Sequence, residues 1–312
     1  MAFSILLLKK AATLALMILM GFGTVKSGKC KSTDSKVLSQ LCFDWVIPLN
    51  MINAFMIEYN PETSRSFFTA CLFTLGVVPA FIAITMILGK QLKLTPSEQG
   101  SLMFSNSAGM TLPLAQSLLG STGVMLCAPH MVIQNFLIFT VLPRIMSREG
   151  KISWKKIFLN RSLLAIGVGF LFFIFQVKLP GVLQDTVSGV SGLMGPLSMF
   201  MIGMLMADVD FRKLLSQRKL YLICASRLLL YPLALILLIS VSGITRKIPY
   251  TREILLVLVM CIASPAATLV TQMATAFRSL EEAKDTGSLN VMTTLLCVVT
   301  IPLMVLVYQI LC

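Results

Sequence analysis

Two polar stretches interrupt otherwise apolar sequence, and each combines proline with side chains that form hydrogen bonds. They are residues 105–113 and 263–272, and each lies in the middle of an apolar run. Proline inside a helix removes a backbone hydrogen bond and clashes with the preceding turn, so we expect both stretches to unwind. The candidate ligand-binding residues are Asn106, Ser107, Thr111 and Pro113 in the first stretch and Ser264, Pro265, Thr268 and Gln272 in the second.

An unwound segment within a membrane helix offers a place for a small anion. The half-helix that follows it begins with free backbone N–H groups and the positive end of its dipole, which attract negative charge. The side chains of Asn106, Thr268 and Gln272 can add hydrogen bonds. Two broken helices at matching places therefore predict a transport site near the middle of the membrane. Simple proline kinks, in which Ser and Thr bond back to their own helix, are the alternative.

Three polar residues of the second apolar segment are further candidates. Asp44 lies four residues before Pro48, and an acid within a span is a candidate for proton or cation coupling. Asp44 could equally lie near the cytoplasmic end of the helix, where water reaches it. Asn50 and Asn53 follow on the same segment and could either line the site or bond between helices.

The remaining coupling candidates are two residues of the fifth apolar segment and one of the eighth. His130 and Gln134 are one helical turn apart, which suits either a proton relay or hydrogen bonds between helices. Arg227 could extend its charged group to the cytoplasmic interface, or it could balance the charge of an anionic substrate. The sequence leaves both pairs of alternatives open.

The composition places these residues in a membrane. Of the 312 residues, 56% are hydrophobic and 12% are charged, whereas about a quarter are charged in a soluble domain. One histidine and eight scattered cysteines argue against a metal site or a cofactor. The sequence has no phosphate-binding loop, so we expect no ATP hydrolysis. With one histidine and no H-E-x-x-H motif, it also lacks the groups that a membrane-embedded enzyme would need, so we expect no enzyme. Its net charge of +13 lies mostly in loops between apolar segments, which does not indicate nucleic-acid binding.

Apolar runs divide the chain into ten segments, each about as long as a helix needs to cross a bilayer. The ten predicted spans are 4–23, 37–57, 67–89, 98–119, 121–143, 157–177, 187–209, 219–242, 252–276 and 288–311. Too little chain remains for a soluble domain, so the sequence predicts an all-α polytopic membrane protein. Span 1 resembles a signal peptide, but we expect a retained helix because it lacks a cleavage site with small residues.

The basic residues predict the orientation of these spans. Lys and Arg are concentrated in the loops after spans 1, 3, 5, 7 and 9. The positive-inside rule makes those loops cytoplasmic. We therefore expect a multi-pass protein of the plasma membrane whose two termini both lie outside the cytoplasm.

The two halves of the chain have five spans each. Because five is odd, halves that are repeats must be inverted relative to each other in the membrane. Three prolines of the first half recur in the second after a nearly constant shift, which favours a repeat. The pairs are Pro48 with Pro196, Pro113 with Pro265, and Pro143 with Pro302. We predict repeats at 1–148 and 149–312 within one integral membrane unit, with broken spans 4 and 9 crossing each other.

Several motifs, taken in order along the chain, resemble one transporter family. The spacing from Asn106 and Ser107 to Pro113 resembles the fourth-helix signature of the auxin efflux carrier family, which also includes bacterial malate- and malonate-type permeases. Further motifs resemble that family's second, seventh, eighth, ninth and tenth helices; they are Leu41–Pro48, Gly195–Gly203, Arg227–Pro232, Ser264–Ala266 with Gln272, and Thr300–Leu303. The resemblance spans nearly the whole chain.

The resemblance implies ten helices in two inverted repeats and a secondary active transporter of a small organic anion. The anion would bind at the crossover of helices 4 and 9. Two departures bear on the substrate: Thr111 stands where the family usually has glycine, and Leu258 stands where an asparagine would mirror Asn106.

Other functions that the sequence leaves open share parts of this plan. A sodium-coupled symporter of the bile-acid type has the same crossover, whereas a channel or a membrane receptor is less favoured. The expected partners are the organic anion and membrane lipid. The coupling ion, H⁺ or Na⁺, and the formation of a homodimer stay open.

Overall fold

The computed structural model shows a chain built almost wholly of helices. The described residues are Thr13, 16–56, 61–146, Leu159, 161–207, 218–248 and 250–312. Among them, the single β contact is an antiparallel bridge between Ser105 and Ala266. The predicted all-α class is therefore confirmed for the described part of the chain.

We number the α-helices in chain order. They are α1 (Leu16–Lys26), α2 (Ser35–Leu41), α3 (Ile47–Phe55), α4 (Pro61–Gln91), α5 (Pro96–Met103), α6 (Ser107–Thr140), α7 (Leu142–Met146), α8 (Arg161–Phe175), α9 (Gly181–Gly192), α10 (Met194–Met206), α11 (Arg218–Ala225), α12 (Tyr231–Ser242), α13 (Ile244–Lys247), α14 (Thr251–Ile262), α15 (Thr268–Phe277) and α16 (Leu280–Leu311). A 3₁₀ turn, Ser32–Asp34, precedes α2.

Five helical stretches of the described chain are long and apolar enough to cross a membrane. They are Pro61–Gln91, Ser107–Met146, Gly181–Met204, Lys219–Ser242 and Glu281–Leu311. A helix needs about 20 apolar residues to span the hydrocarbon core. The protein is thus a multi-pass membrane protein.

The five long stretches do not correspond one to one with the ten predicted spans. Spans 4 and 9 are each divided into two shorter helices, and spans 4 and 5 share α6. Span 1 falls largely outside the described residues. The division of spans 4 and 9 is the feature that positions the candidate site.

Gly120 separates spans 4 and 5 within α6. Its backbone has φ 61° and ψ −146°, which is not helical. Glycine adopts a positive φ without the steric cost of a side chain. The chain therefore departs from helical geometry at Gly120, between the residues where predicted span 4 ends and predicted span 5 begins.

Two π turns precede prolines at equivalent distances. Cys42–Val46 comes just before Pro48, and Ser226–Leu230 comes just before Pro232. Proline lacks an N–H group and cannot bond to the carbonyl four residues earlier. In a π turn, the N–H of the residue before proline bonds to the carbonyl five residues earlier, which is one way for a helix to accommodate the missing bond. Such turns are frequent at functional sites.

The chain folds into two compact units, and each takes residues from both halves of the sequence. Unit 1 comprises Met1–Phe67, Ala108–Ala128 and Phe158–Val209. Unit 2 comprises Phe68–Ser107, Pro129–Ile157 and Asp210–Cys312. In terms of the predicted spans, unit 1 takes the first two of each half, and unit 2 takes most of the last three.

Aromatic rings hold α3 and α8 together in unit 1. The ring of Phe55 lies 5.5 Å from that of Phe67 in an edge-on contact, and the rings of Phe67 and Phe170 stack at 5.4 Å. A Cβ atom at Gly169 would lie 2.9 Å from the Phe55 ring, so the absence of a side chain there allows close packing. Such aromatic contacts add stability beyond the area that they bury.

Helices α1 and α10 approach each other closely in unit 1, and glycine makes this possible. A Cβ atom at Gly203 would overlap the carbonyl oxygen of Ile18, and one at Gly21 would overlap that of Phe200. Small residues let membrane helices pack backbone against backbone. These two glycines therefore fix the contact between α1 and α10.

Helix α14 is buried on all sides and lies inside unit 2. Each residue from Ile254 to Ile262 is buried, without the exposed face of a surface helix. A helix that is apolar all round is normally enclosed by protein or lipid. Because α14 ends at Ile262, the break that follows it lies in the interior of unit 2.

The glycine contact between α1 and α10 leads to a stability prediction. Gly203→Ala should lower the thermal stability of the purified protein, because the added methyl group overlaps backbone that cannot move without separating the helices. Overpacking of this kind costs roughly 1–3 kcal/mol. Gly195→Ala is the matched control, since a Cβ at Gly195 in the same helix meets no atom within 4 Å. Equal melting temperatures for both variants would contradict the proposed contact.

Candidate functional site

The two helix breaks of unit 2 pair with each other. Residues 104–106 are extended between α5 and α6, and residues 263–267 form the break between α14 and α15. The N–H of Asn106 donates to the carbonyl of Pro265 at 2.8 Å, and the N–H of Ala267 donates to that of Phe104 at 2.9 Å. The two segments thus run antiparallel, with Ser105 opposite Ala266.

The first break is shorter than the sequence predicts. We expected residues 105–113 to unwind, but α6 is helical from Ser107 onward and includes Thr111 and Pro113. That prediction is wrong for residues 107–113. Proline costs a helix one hydrogen bond, whereas residues 104–106 leave the helix where another segment can accept and donate their bonds. The second break is shorter as well: Pro265 lies inside it, as predicted, but α15 is helical from Thr268 onward, so the prediction is wrong for residues 268–272.

Side chains of two other helices satisfy the outward-facing backbone groups of the paired residues. Gln134 of α6 accepts from the N–H of Ser105 at 3.0 Å and donates to its carbonyl. In α16, Thr293 accepts from the N–H of Ala266 at 3.2 Å, and Asn290 donates to its carbonyl at 2.9 Å. Side chains of α6 and α16 therefore bond to the paired segments from opposite sides.

The two sets of supporting side chains occupy related positions in the sequence. Gln134 and Thr293 are separated by the same number of residues as Pro143 and Pro302, the pair that suggested a repeat. The sequence analysis identified Gln134 but missed Asn290 and Thr293. Their polar character within the apolar tenth span, read with the shift between those two prolines, is the signal that could have found them.

His130 belongs to the same hydrogen-bond network. Its Nε2 lies 3.1 Å from the hydroxyl of Ser105 and 3.0 Å from Oε1 of Gln134. The ring is buried, and its Nδ1 has no hydrogen-bond partner. His130 and Gln134 thus form hydrogen bonds to another part of the protein, in line with the bonding alternative for these two residues. A proton relay through them stays a prediction.

Arg227 joins the two helices that lead into the breaks. Its Nε donates to the carbonyl of Ser264 at 3.1 Å, and its Nη1 donates to the carbonyl of Leu102 at 2.7 Å. The side chain is only 2% exposed. Extension of Arg227 to the cytoplasmic interface, one of its two alternatives, is therefore wrong. Its planar guanidinium presents several donors at fixed angles, so one side chain can bond two carbonyls at once.

Four helix ends meet at the breaks, and each end carries a partial charge. Helices α5 and α14 end at the breaks, where their last carbonyls carry partial negative charge. The cation of Arg227 offsets this charge. Helices α6 and α15 begin at Ser107 and Thr268, and the residue before α15, Ala267, makes no side-chain capping bond. The N–H of Val270 donates to the carbonyl of Ala267 at 3.0 Å, whereas the N–H groups that open α15 before it have no preceding helical turn to bond to and can bind an anion.

The other predicted site residues are divided between the two units. Unit 2 contains Asn106, which is half-buried, and the buried Ser107, Ser264 and Pro265. It also contains the half-buried Thr268, whereas the side chain of Gln272 is not among those described. The predicted residues of unit 1 are Thr111, Pro113, Asn50, Asn53 and Asp44.

Asn50 and Asn53 bond between helices of unit 1. The amide of Asn50 donates to Oε1 of Gln116 and to the carbonyl of Ser191, both at 3.2 Å. Asn53 accepts from the hydroxyl of Ser188 at 3.3 Å. Both asparagines therefore form hydrogen bonds between helices, which was one of the two alternatives that the sequence left open. Gln116 was not among the predicted residues. Oδ1 of Asn50 is buried without a partner.

Asp44 pairs with Arg161 in unit 1. Asp44 lies in the π turn between α2 and α3, and Arg161 is the first residue of α8. Both side chains are partly exposed. The charge of Asp44 is therefore balanced by a cation of the protein itself. Its predicted role in ion coupling is not tested by this contact.

Comparison with known proteins places the whole chain in one group. A family model described as membrane transport protein matches residues 6–153 and 148–305, which together span nearly all of the sequence. A search of curated proteins found no match.

The contacts of Arg227 lead to a prediction about the breaks. Arg227→Met should leave two buried carbonyls without donors, at a cost of about 1–3 kcal/mol each, and should lower the melting temperature markedly. Arg227→Lys should fall between this variant and the wild type, because one ammonium cannot reproduce the fixed fork of donors. Arg252→Met, which removes an exposed arginine of unit 2, is the control. If Arg227→Met melts like the control, Arg227 does not hold the breaks.

Proposed function

Because the chain belongs to the membrane transport protein family, the family of the auxin efflux carriers, we propose that it is a secondary active transporter of a small organic anion. The anion, such as a carboxylate, would bind beside the paired breaks. These breaks would then be the crossover of spans 4 and 9 in an inverted repeat of ten spans. The observation that carries the proposal is the pairing of Ser105 with Ala266.

The charge at the breaks favours an anion over a neutral or cationic substrate. Among the described residues, no carboxylate pairs with Arg227, which bonds to backbone carbonyls. Nη2 of Arg227 is buried and has no partner. A buried cation without a counter-ion is costly, and an anion that binds nearby reduces this cost.

The N-terminal ends of two helices add to this preference. Helix α6 begins directly after Asn106, and α15 begins directly after Ala267, so the first N–H groups of both lie next to the paired segments. Their partial positive charges attract an anion in the same way as phosphate sites at helix ends. The half-buried side chains of Asn106 and Thr268 are placed to add hydrogen bonds.

The predicted orientation and substrate branch belong to this proposal. The loops rich in Lys and Arg would face the cytoplasm, and both termini would lie outside it, in the plasma membrane. Malate and malonate are the first substrates to examine, because the sequence motifs resemble the branch that includes their permeases. We propose carriage of the anion without catalysis.

Binding of carboxylates to purified protein tests the proposal. We expect at least one member of a panel of acetate, malonate, malate and indole-acetate to raise the melting temperature in a saturable manner. Asn106→Ala should weaken that binding about ten- to hundredfold, the usual effect of losing a hydrogen bond to a charged group. Asn135→Ala is the matched control, because Asn135 bonds to neither break among the described contacts.

Two results would count against the anion carrier. One is that none of the four carboxylates stabilises the wild type. The other is that Asn106→Ala binds the active carboxylate as tightly as Asn135→Ala does. Labelled uptake of that carboxylate into proteoliposomes, with saturation and exchange across the vesicle, then separates a carrier from a channel.

A further inference from the structure

A cavity of about 610 Å³ lies in unit 2 between α5, α11 and α16. Its lining includes Thr95 and Ser279, at the N-terminal ends of α5 and α16. The loops at this end are the ones that the charge distribution predicts to be cytoplasmic. The cavity is therefore placed to admit a solute from the cytoplasm into the unit that holds the breaks.

Acidic residues dominate the walls of this cavity. Among the described residues, its lining includes Glu98, Glu281, Glu282 and Asp285 and one basic residue, Lys219. Clefts lined by one sign of charge concentrate ions of the opposite sign. The cavity therefore attracts cations, although the substrate proposed for the breaks is an anion.

The four carboxylates are not equally engaged. Glu98 accepts from the N–H of Thr95, and Glu282 accepts from Ser97 and Arg278. Glu281 and Asp285, one turn apart on α16, are exposed and have no hydrogen bond or ion pair among the described contacts. No described cation therefore pairs with either charge.

A buried hydroxyl at the inner end of the cavity has no partner. Ser101 lines the cavity, is 1% exposed, and its Oγ forms no hydrogen bond. A buried polar atom that lacks a partner is costly unless a ligand or water satisfies it. Ser101 is thus an oxygen atom available to a solute that enters the cavity.

The inner wall of the cavity lies next to the paired breaks. Ser101 is one helical turn before Ser105 of the first break, and Ile223, which also lines the cavity, is one turn before Arg227. One turn rises about 5.4 Å along the helix axis. A cation held near Ser101 would raise the electrostatic potential at the breaks and so favour an anion there.

We propose that this cavity binds an alkali-metal cation, and that the cation is coupled to the anion bound at the breaks. Carboxylate and hydroxyl oxygens are the ligands that such hard cations prefer. Among the described residues, no three His, Cys, Asp or Glu side chains form a group that could chelate a metal ion. The ion therefore keeps part of its water and binds weakly. The coupling rests on the proposed function, and each bound ion strengthens the binding of the other by the same factor.

The binding of the cation alone can be measured on the purified full-length protein. Melting curves in LiCl, NaCl and KCl are compared with curves in choline chloride at equal ionic strength, so that the anion and the screening stay constant. We expect at least one alkali chloride to raise the melting temperature above the value in choline chloride. Titration of that ion gives its apparent affinity.

Variants locate the bound ion. The double variant Glu281→Gln with Asp285→Asn removes two exposed negative charges of the cavity lining and should weaken the apparent affinity about tenfold. Ser101→Ala should weaken it severalfold. Glu253→Gln removes one exposed charge of unit 2 outside the cavity and should leave the affinity unchanged.

Two outcomes would overturn the cation site. The first is identical melting of the wild type in choline chloride and in all three alkali chlorides. The second is an undiminished ion effect in the double variant. Because these experiments contain no carboxylate, their failure leaves carboxylate binding at the breaks standing. Conversely, an ion effect in a protein that binds no carboxylate would leave the cation site and remove the anion carrier.

Discussion

A backbone group that is buried away from water must be hydrogen-bonded, and this requirement governs the two breaks in unit 2. An interrupted helix inside a membrane protein exposes N–H and C=O groups that lipid cannot satisfy. Here the exposed groups of Phe104 and Asn106 bond to those of Ala267 and Pro265. The remaining groups of the central pair bond to side chains of α6 and α16. Each break is stable because the other one is present.

The same requirement explains the charge at the breaks. Carbonyls near the ends of α5 and α14 need donors, and Arg227 supplies them from a single buried side chain. The cost of burying its charge is reduced by the two carbonyls and, in the proposed function, by the anion that is carried. In the proposed coupling, a cation bound in the acidic cavity would be the second ion, opposite in sign to the anion. The structure thus separates a cationic region at the breaks from an anionic region at the cavity.

Local sequence predicted those features that depend on local chemistry. The break around Pro265 and the boundary at Gly120 lie at residues that weaken a regular helix, and the sequence identified both. The sequence wrongly extended the first break to Pro113. A proline alone does not decide where a helix unwinds, because the break forms where another segment is placed to pair with it. The roles of Asn290 and Thr293 depend on which helix packs against the second break, and this is a tertiary property.

The most direct test of this account is a disulfide between the paired residues. Ser105 and Ala266 face each other without bonding to each other, the arrangement in which Cα atoms of antiparallel neighbours lie about 4.5 Å apart. This distance suits a disulfide bond. Ser105→Cys with Ala266→Cys should therefore cross-link under mild oxidation, as mapped by mass spectrometry of peptides, whereas Ser105→Cys with Ala274→Cys should not. Two free thiols at positions 105 and 266 in the folded double variant would contradict the pairing of the breaks.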